Sequence, residues 1–286
     1  FITLQTSQNS ATRGAVLGTS DGSNYQAAPV AFATENIEST GTIISGLTNQ
    51  DDASVPIPIG FSFPFYGSTE TQVFVSSNGL LTFGTANTAF TNNDLTASPT
   101  QATIAPFWDD LNANSGVPGA GVYYQNFDPG GANERVVIQW NKVKFFAGGV
   151  AGNTITFQAV LYKDGRIRFN YPDLFSTGAL DASNGASATV GIKGAGVQGD
   201  SRLLLAFNNG PNAFVGTGKS TLFSPTPSDD WYSITSNGVD PIVLETSTPG
   251  DGPFEPVNTF NPHIELYNSA GNSLLASGNV LGDGRN

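Results

Sequence analysis

"TFQAVLYKDGRIRFNY", residues Thr156 to Tyr171, sets two alternating apolar runs either side of an Asp-Gly pair. Asp-Gly accepts the positive φ angles of a primed two-residue turn, so the stretch reads as a β-hairpin. A loop at Asp164-Gly165 puts Lys163 opposite Arg166, Tyr162 opposite Ile167 and Val160 opposite Phe169. Tyr162, Val160, Ile167, Phe169 and Tyr171 then share the core face. The other face carries Lys163, Arg166 and Arg168 but also Leu161 and Phe157, which predicts a partial second cover. "QVFVSSNGLLTFG" (Gln72 to Gly84) repeats the design, with Asn78-Gly79 at the turn, Val73 and Val75 before it, and Leu81 and Phe83 after it.

Outward from these hairpins the same grammar recurs: a short alternating run, then a turn cluster. No 15-residue window shows a helical repeat, and 34 Gly and 17 Pro supply the turns. The reading is all-β, an antiparallel β-sandwich or jelly-roll-like main domain with a second, incomplete smaller β-sandwich. Predicted strands are Asn36–Ile44, Val55–Phe65, Gln72–Ser76, Leu80–Phe83, Thr103–Trp108, Gly121–Asn126, Arg135–Phe146, Thr154–Tyr162, Arg166–Tyr171, Ala188–Lys193 and Arg202–Phe207. Within "VPIPIGFSFPFYG", three prolines demand a sheet edge or a bulge, because proline cannot donate to a ladder. There Phe61, Phe63 and Phe65 share a face. Residues 1–24 read as an arm or linker that starts with a short strand at Phe1–Leu4. Residues 25–224 form the main domain. A proline-rich boundary at Ser224–Ser228 precedes a second domain over 229–286, with strands at Trp231–Thr235, Pro241–Thr246, His263–Tyr267 and Ser273–Ala276.

Composition narrows the function. The 286 residues carry 23 acidic and 11 basic side chains, net −12, with no basic stripe. Nucleic-acid affinity comes chiefly from counterion release by basic surfaces, so nucleic acid is excluded, and anionic membranes are disfavoured for the same reason. No apolar run approaches the ~20 residues of a membrane span. There is no Cys, hence no disulfide or thiol chemistry. There is no Met, and the chain begins at Phe1, which reads as a secreted or cell-surface protein with its signal segment removed. No Asn-X-Ser/Thr acceptor occurs, which leans toward a bacterial surface protein.

Catalytic motifs fail on context. "GTSDG" (Gly18–Gly22) matches a nucleophile elbow, but "GSNYQAAP" after it is a poor helix. "GTGKST" (Gly216–Thr221) lacks the first glycine of a phosphate loop, since position 213 is Ala213, and reads as a β-turn. His263 is the single histidine and has no local partner, and zinc has neither Cys nor a second His to draw on. Asp109, Asp110 and Asn112 in "APFWDDLNANSG" leave three readings open: a solvated turn, a calcium site, or a carboxylate pair for glycoside hydrolysis. Adjacent strand residues point to opposite faces, which suits the third poorly. On the second reading, calcium is the metal that Asp109, Asp110 and Asn112 would hold, and the solvated turn stays open beside it.

"FPFYGSTETQVFVSSNGLLTFG", "TIAPFWDDLN", "GVYYQ", "TFQAVLYKDGRIRFNY" and "ATVGIKG" come in the order seen in nidogen-like extracellular domains, and are most similar to bacterial ones. The resemblance covers roughly Val55 to Lys193 and implies a β-rich extracellular module without catalysis. The chain lacks the cysteines of animal versions, so a basement-membrane role does not carry over. "DWYSI", "DPIVLETSTPGDG", "NPHIELYNSAGNSLLA" and "GDGRN" resemble the first half of a bacterial pre-peptidase C-terminal domain, a calcium-associated β-sandwich. Half a sandwich leaves an open strand edge, so either the natural protein extends further or another chain supplies the missing strands. The leading expectation is a non-enzymatic adhesion, matrix or assembly module that pairs with other extracellular proteins or with itself, through strand exchange and as far as a filament. The alternatives are an accessory region of a secreted hydrolase or protease, and a carbohydrate-binding module that takes glycans.

Overall fold

A computed structural model describes residues 19–20, 24–146, 153–175, 183–198, 202–225, 265–267 and 274–277. The chain divides into a main unit, Ala15–Asp230, and a second unit containing the hairpin at 265–277. Phe1–Leu4, His263, Trp231–Thr235 and Pro241–Thr246 lie outside the described residues.

The strands in chain order are β1 (Thr19–Ser20), β2 (Tyr25–Val30), β3 (Thr42–Ile43), β4 (Ser54–Phe65), β5 (Ser68–Ser76), β6 (Leu81–Thr82), β7 (Thr103–Trp108) and β8 (Leu111–Asn112). They continue with β9 (Gly121–Phe127), β10 (Arg135–Phe145), β11 (Ile155–Tyr162), β12 (Ile167–Asp173), β13 (Thr189–Lys193), β14 (Leu203–Phe207), β15 (Lys219–Pro225), β16 (Glu265–Tyr267) and β17 (Leu274–Ser277). A nine-stranded sheet runs β1-β2-β15-β12-β11-β10-β9-β3, with β8 pairing β10, and a six-stranded sheet runs β14-β13-β7-β6-β5-β4. Every pairing in them is antiparallel. In the second unit β16 pairs with β17, Leu266 opposite Ala276.

The two sheets of the main unit pack face to face over one core. Phe107 of β7 meets Phe157 of β11 with ring centroids 5.3 Å apart, and Trp140 stacks on Phe157 at 4.9 Å. Buried polar tips are satisfied across the gap. Trp140 Nε1 donates to Ser76 O at 2.9 Å, and the Tyr171 hydroxyl donates to Pro106 O at 2.9 Å. β4 behaves as its prolines require. It is a sheet edge, it slips register between Pro58 and Phe63, and Ile57, Ile59, Phe61, Phe63 and Phe65 face the core.

Both opening hairpins turn differently from the expectation. Gly165 and Gly79 sit at φ 88° and 69°, but Asp164 and Asn78 are not left-handed. Tyr162 N bonds to Arg166 O and Ser76 N to Leu80 O, so each loop is a three-residue turn closed by a glycine bulge. The extra residue shifts the pairing by one: Leu161 lies opposite Ile167 and Ala159 opposite Phe169. Leu161, Ala159 and Phe157 therefore join Ile167, Phe169 and Tyr171 in the main core, while Val160 belongs to a separate outer cluster with Ile37, Tyr123 and Val137, and Tyr162 packs against it. A one-residue slip exchanges the faces of a strand, which is why the inward set was misassigned on that arm alone.

Asn36–Ile44 is not one strand. Residues 31–37 take no ladder position, residues 38–40 turn, and only Thr42–Ile43 pairs. "GTGKST" turns only through Gly218, and Lys219 then opens β15, a central strand. Ser20 lies in β1 opposite Gln26, not on a strand-to-helix turn.

Candidate functional site

The turn at Asn78-Gly79 is buried and organises one end of the sandwich. A Cβ on Gly79 would meet Phe107 O at 1.9 Å, so the turn can pack against β7 only as glycine. The Asn78 amide binds three segments at once. Its Oδ1 accepts Leu111 N at 2.9 Å, and its Nδ2 donates to Asp52 Oδ1 at 2.9 Å and to Thr88 O at 3.3 Å. Ala53 N donates to Ser77 Oγ at 3.1 Å. This bracket carries Asp51 and Asp52, which precede β4, up to Asp110, which follows β7.

Carboxylate oxygens of Asp51, Asp52 and Asp110 lie within 4.8 Å of one another. Burial and the neighbouring Asp52 charge raise the Asp51 carboxyl above its ordinary range. Burial, then Asp51 and Asp52, do the same to Asp110. Asn112 Nδ2 donates to Asp51 Oδ1 at 3.3 Å, and Asn112 Oδ1 accepts Asn114 N at 2.7 Å. Lys144, opposite Asn112 in the β8–β10 pairing, is the cation that acts on Asp51. Three hard oxygen donors carrying mutual repulsion match what a divalent oxygen-binding cation neutralises.

Of the residues singled out in the sequence, Asp110 and Asn112 face this cluster. The Asp109 carboxylate turns the other way, as adjacent positions must at a strand end. It accepts Ser187 Oγ at 2.6 Å and Asp110 N at 2.8 Å. Burial raises it to about 6. Asp51 and Asp52 were not singled out. They sit nearly 60 residues upstream in "NQDDASV", and the Asn78 bracket, with Asn112 Nδ2 on Asp51, joins them to the Asp110 segment. The paired acids just before a strand were the available signal.

A second constellation lies across the outer face of the large sheet. Residues 31–41 leave β2 at one side of the sheet and reach β3 at the other. Six strand spacings of about 4.8 Å need about 29 Å, within reach of an extended chain of this length. Beneath this strap, Ser220, Asn170, Gln158 and Gln139 are successive register partners on β15, β12, β11 and β10. Their side chains bond in a row: Ser220 Oγ to Asn170 Oδ1 at 2.7 Å, Asn170 Nδ2 to Gln158 Oε1 at 3.1 Å, and Gln158 Nε2 to Gln139 Oε1 at 2.7 Å. The row also holds the strap backbone. Ala33 N donates to Ser220 Oγ at 3.3 Å, Gln158 Nε2 to Glu35 O at 2.7 Å and Ile37 N to Gln139 Oε1 at 3.1 Å. Ile37 fills a slot of Val137, Val160 and Tyr123, and ion pairs Glu35–Arg135 (2.5 Å) and Glu38–Lys142 (2.7 Å) flank it. The Lys142 hydrogen bond lowers the Glu38 carboxyl.

A family model described as NIDO related matches residues 24–232. Among curated proteins, alpha-tectorin of Mus musculus is 27% identical over 165 residues, covering 50% of this chain and 8% of the relative. Alpha-tectorin of Homo sapiens is 26% identical over 165 residues, covering 50% and 8%, and that of Gallus gallus 27% over 176 residues, covering 51% and 8%. The chain thus spans under a tenth of the length of these relatives. No solved structure matches it significantly.

Proposed function

Since this chain belongs to the NIDO-related family, we propose that it is a non-catalytic extracellular structural module that acts through its surfaces. The observation that carries this reading is the family match over 24–232, which contains every strand of the main unit from β2 to β15. The acidic, cysteine-free composition and the nidogen-like motifs between Val55 and Lys193 support it. The finer reading is of an adhesive or matrix component, secreted or at the cell surface, whose partners are other extracellular proteins or further copies of itself. The tail from Asp229 stays in that reading as the start of a bacterial pre-peptidase C-terminal-like sandwich, supported by the β16–β17 hairpin. An antibody to this module should label the full-length protein on intact cells or in their secreted matrix. Label that appears only after permeabilisation contradicts the reading.

Calcium is the cation proposed for the Asp51–Asp52–Asp110 cluster. Added Ca²⁺ should raise the melting temperature by a few degrees, and Asp110→Asn should remove the rise. An unchanged melting curve in Ca²⁺ and in chelator removes the ion from the account.

A further inference from the structure

We propose that residues 25–38 are an exchangeable donor segment, and that the groove across the large sheet takes the same segment from a second copy of this chain. The inference rests on the self-associating reading above and names the contact by which copies would join.

The topology makes the segment separable. β2 pairs with β15 on one side and with β1, its own upstream neighbour, on the other. Among the described residues its remaining anchors lie beyond Gly41: Ser220, Gln158 and Gln139 under the strap backbone, Arg135 and Lys142 on its two glutamates, and Gly165 O, which accepts the Tyr25 hydroxyl at 3.1 Å. The link to the body is the turn after Ile37, closed by one backbone bond from Gly41 N to Ile37 O at 2.8 Å. Opening that turn lets the segment dock on a neighbour with every other bond remade, which is the condition for low-cost exchange.

The groove also specifies its occupant. It reads backbone at Ala33, Glu35 and Ile37, and at Ala31 O through Arg168 Nη2 at 2.6 Å. It reads sequence through Arg135, the Ile37 slot and Lys142, in an order that demands acid, aliphatic and acid at positions 35, 37 and 38. In a chain of net charge −12, Arg135, Lys142 and Arg168 are three of only 11 basic residues, and all three face this acidic segment. Its complement is the chain's own "TENIE".

The absence of cysteine allows a clean test. Gln26 and Ser224 are register partners across β2 and β15, so their Cα separation suits a disulfide. Full-length Gln26→Cys and Ser224→Cys single variants are mixed, refolded together at rising concentration, oxidised and mapped by mass spectrometry. Exchange predicts a 26–224 linked heterodimer that increases with concentration and falls at least tenfold when both copies also carry Ile37→Asp. The double variant Gln26→Cys/Ser224→Cys reports the same pairing within one chain. Efficient intramolecular linkage there, with no 26–224 heterodimer above the Ile37→Asp background, overturns the proposal. Failure of both linkages overturns it too, because the β2–β15 pairing it needs is then missing. Either result beside extracellular labelling leaves the functional reading intact.

Discussion

Residues 31–38 cross the large sheet on a row of amide side chains, whereas residues 84–102 close the small sheet by setting Leu95 against Trp108, Leu80 and Ala105. The second cover is also pinned at its ends. Thr189 Oγ1 donates to Asn93 O at 2.8 Å, Arg202 pairs with Asp94 at 3.2 Å, and the buried Lys193 ammonium donates to Gly196 O at 2.6 Å and to Pro99 O. Both segments hide the outer face of a sheet, but by different chemistry. An apolar cover is held by area removed from water, at ~25 cal/mol per Å². A polar cover is held by hydrogen bonds whose net worth is only ~1 kcal/mol each, and which are costly to leave unmade. The first should release only when the domain unfolds. The second can release as a unit if its polar row finds an equivalent partner.

The largest expected effect falls on the apolar cover. Trp108→Ala should cost ~3–5 kcal/mol and lower the melting temperature by roughly 10 °C, read by thermal unfolding. Gln139→Ala should cost ~2–3 kcal/mol, because Ile37 N, Asn36 and Gln158 lose a partner together. It should also open the strap to a glutamate-specific protease at Glu35 and Glu38, sites that stay protected in Trp108→Ala below its melting point.

Asp109, at the foot of the apolar cover, gives a pH signature. Its folded value of about 6 exceeds the ordinary 3.8, so the native state holds that proton more tightly. Stability should therefore fall as pH rises from about 4 to 6 and level off above, by up to ~3 kcal/mol. In chelator, Asp109→Asn should flatten that slope and melt higher at pH 7. A variant that melts lower at every pH would mean the carboxylate is needed ionised. The smallest effect belongs to the strap's rim. Glu35→Gln should cost under ~1 kcal/mol and nothing at high salt, because exposed ion pairs are screened.

Much of the sandwich was legible because local chemistry dictates it. The prolines of β4 announced an edge with a bulge, and the short apolar run Thr103–Trp108 fell on β7 to the residue. What escaped depended on partners far along the chain. The bulge glycines changed the hairpin register, because Asp-Gly is compatible with two turn types and strand twist and packing choose between them. β2 is missing from the predicted strands and the start of β15 reads as a turn, because short polar runs acquire strand character only by pairing, here with each other and with β12. The strap looked like a strand because "ENIESTGTII" alternates, yet its partners are side chains on four strands rather than one backbone. At the acidic cluster Asp110 and Asn112 were visible, and Asp51 and Asp52 required knowing that a buried asparagine joins them.

Native-state hydrogen exchange tests the contrast most directly, because it resolves openings smaller than global unfolding. The account predicts that the Ile37 amide, bonded to Gln139, exchanges through an opening well below the global free energy. Phe83 N, buried and bonded to Ala102 O where the apolar cover closes, should exchange only with the whole domain. Ile37 and Phe83 exchanging together, at the global limit, would contradict it.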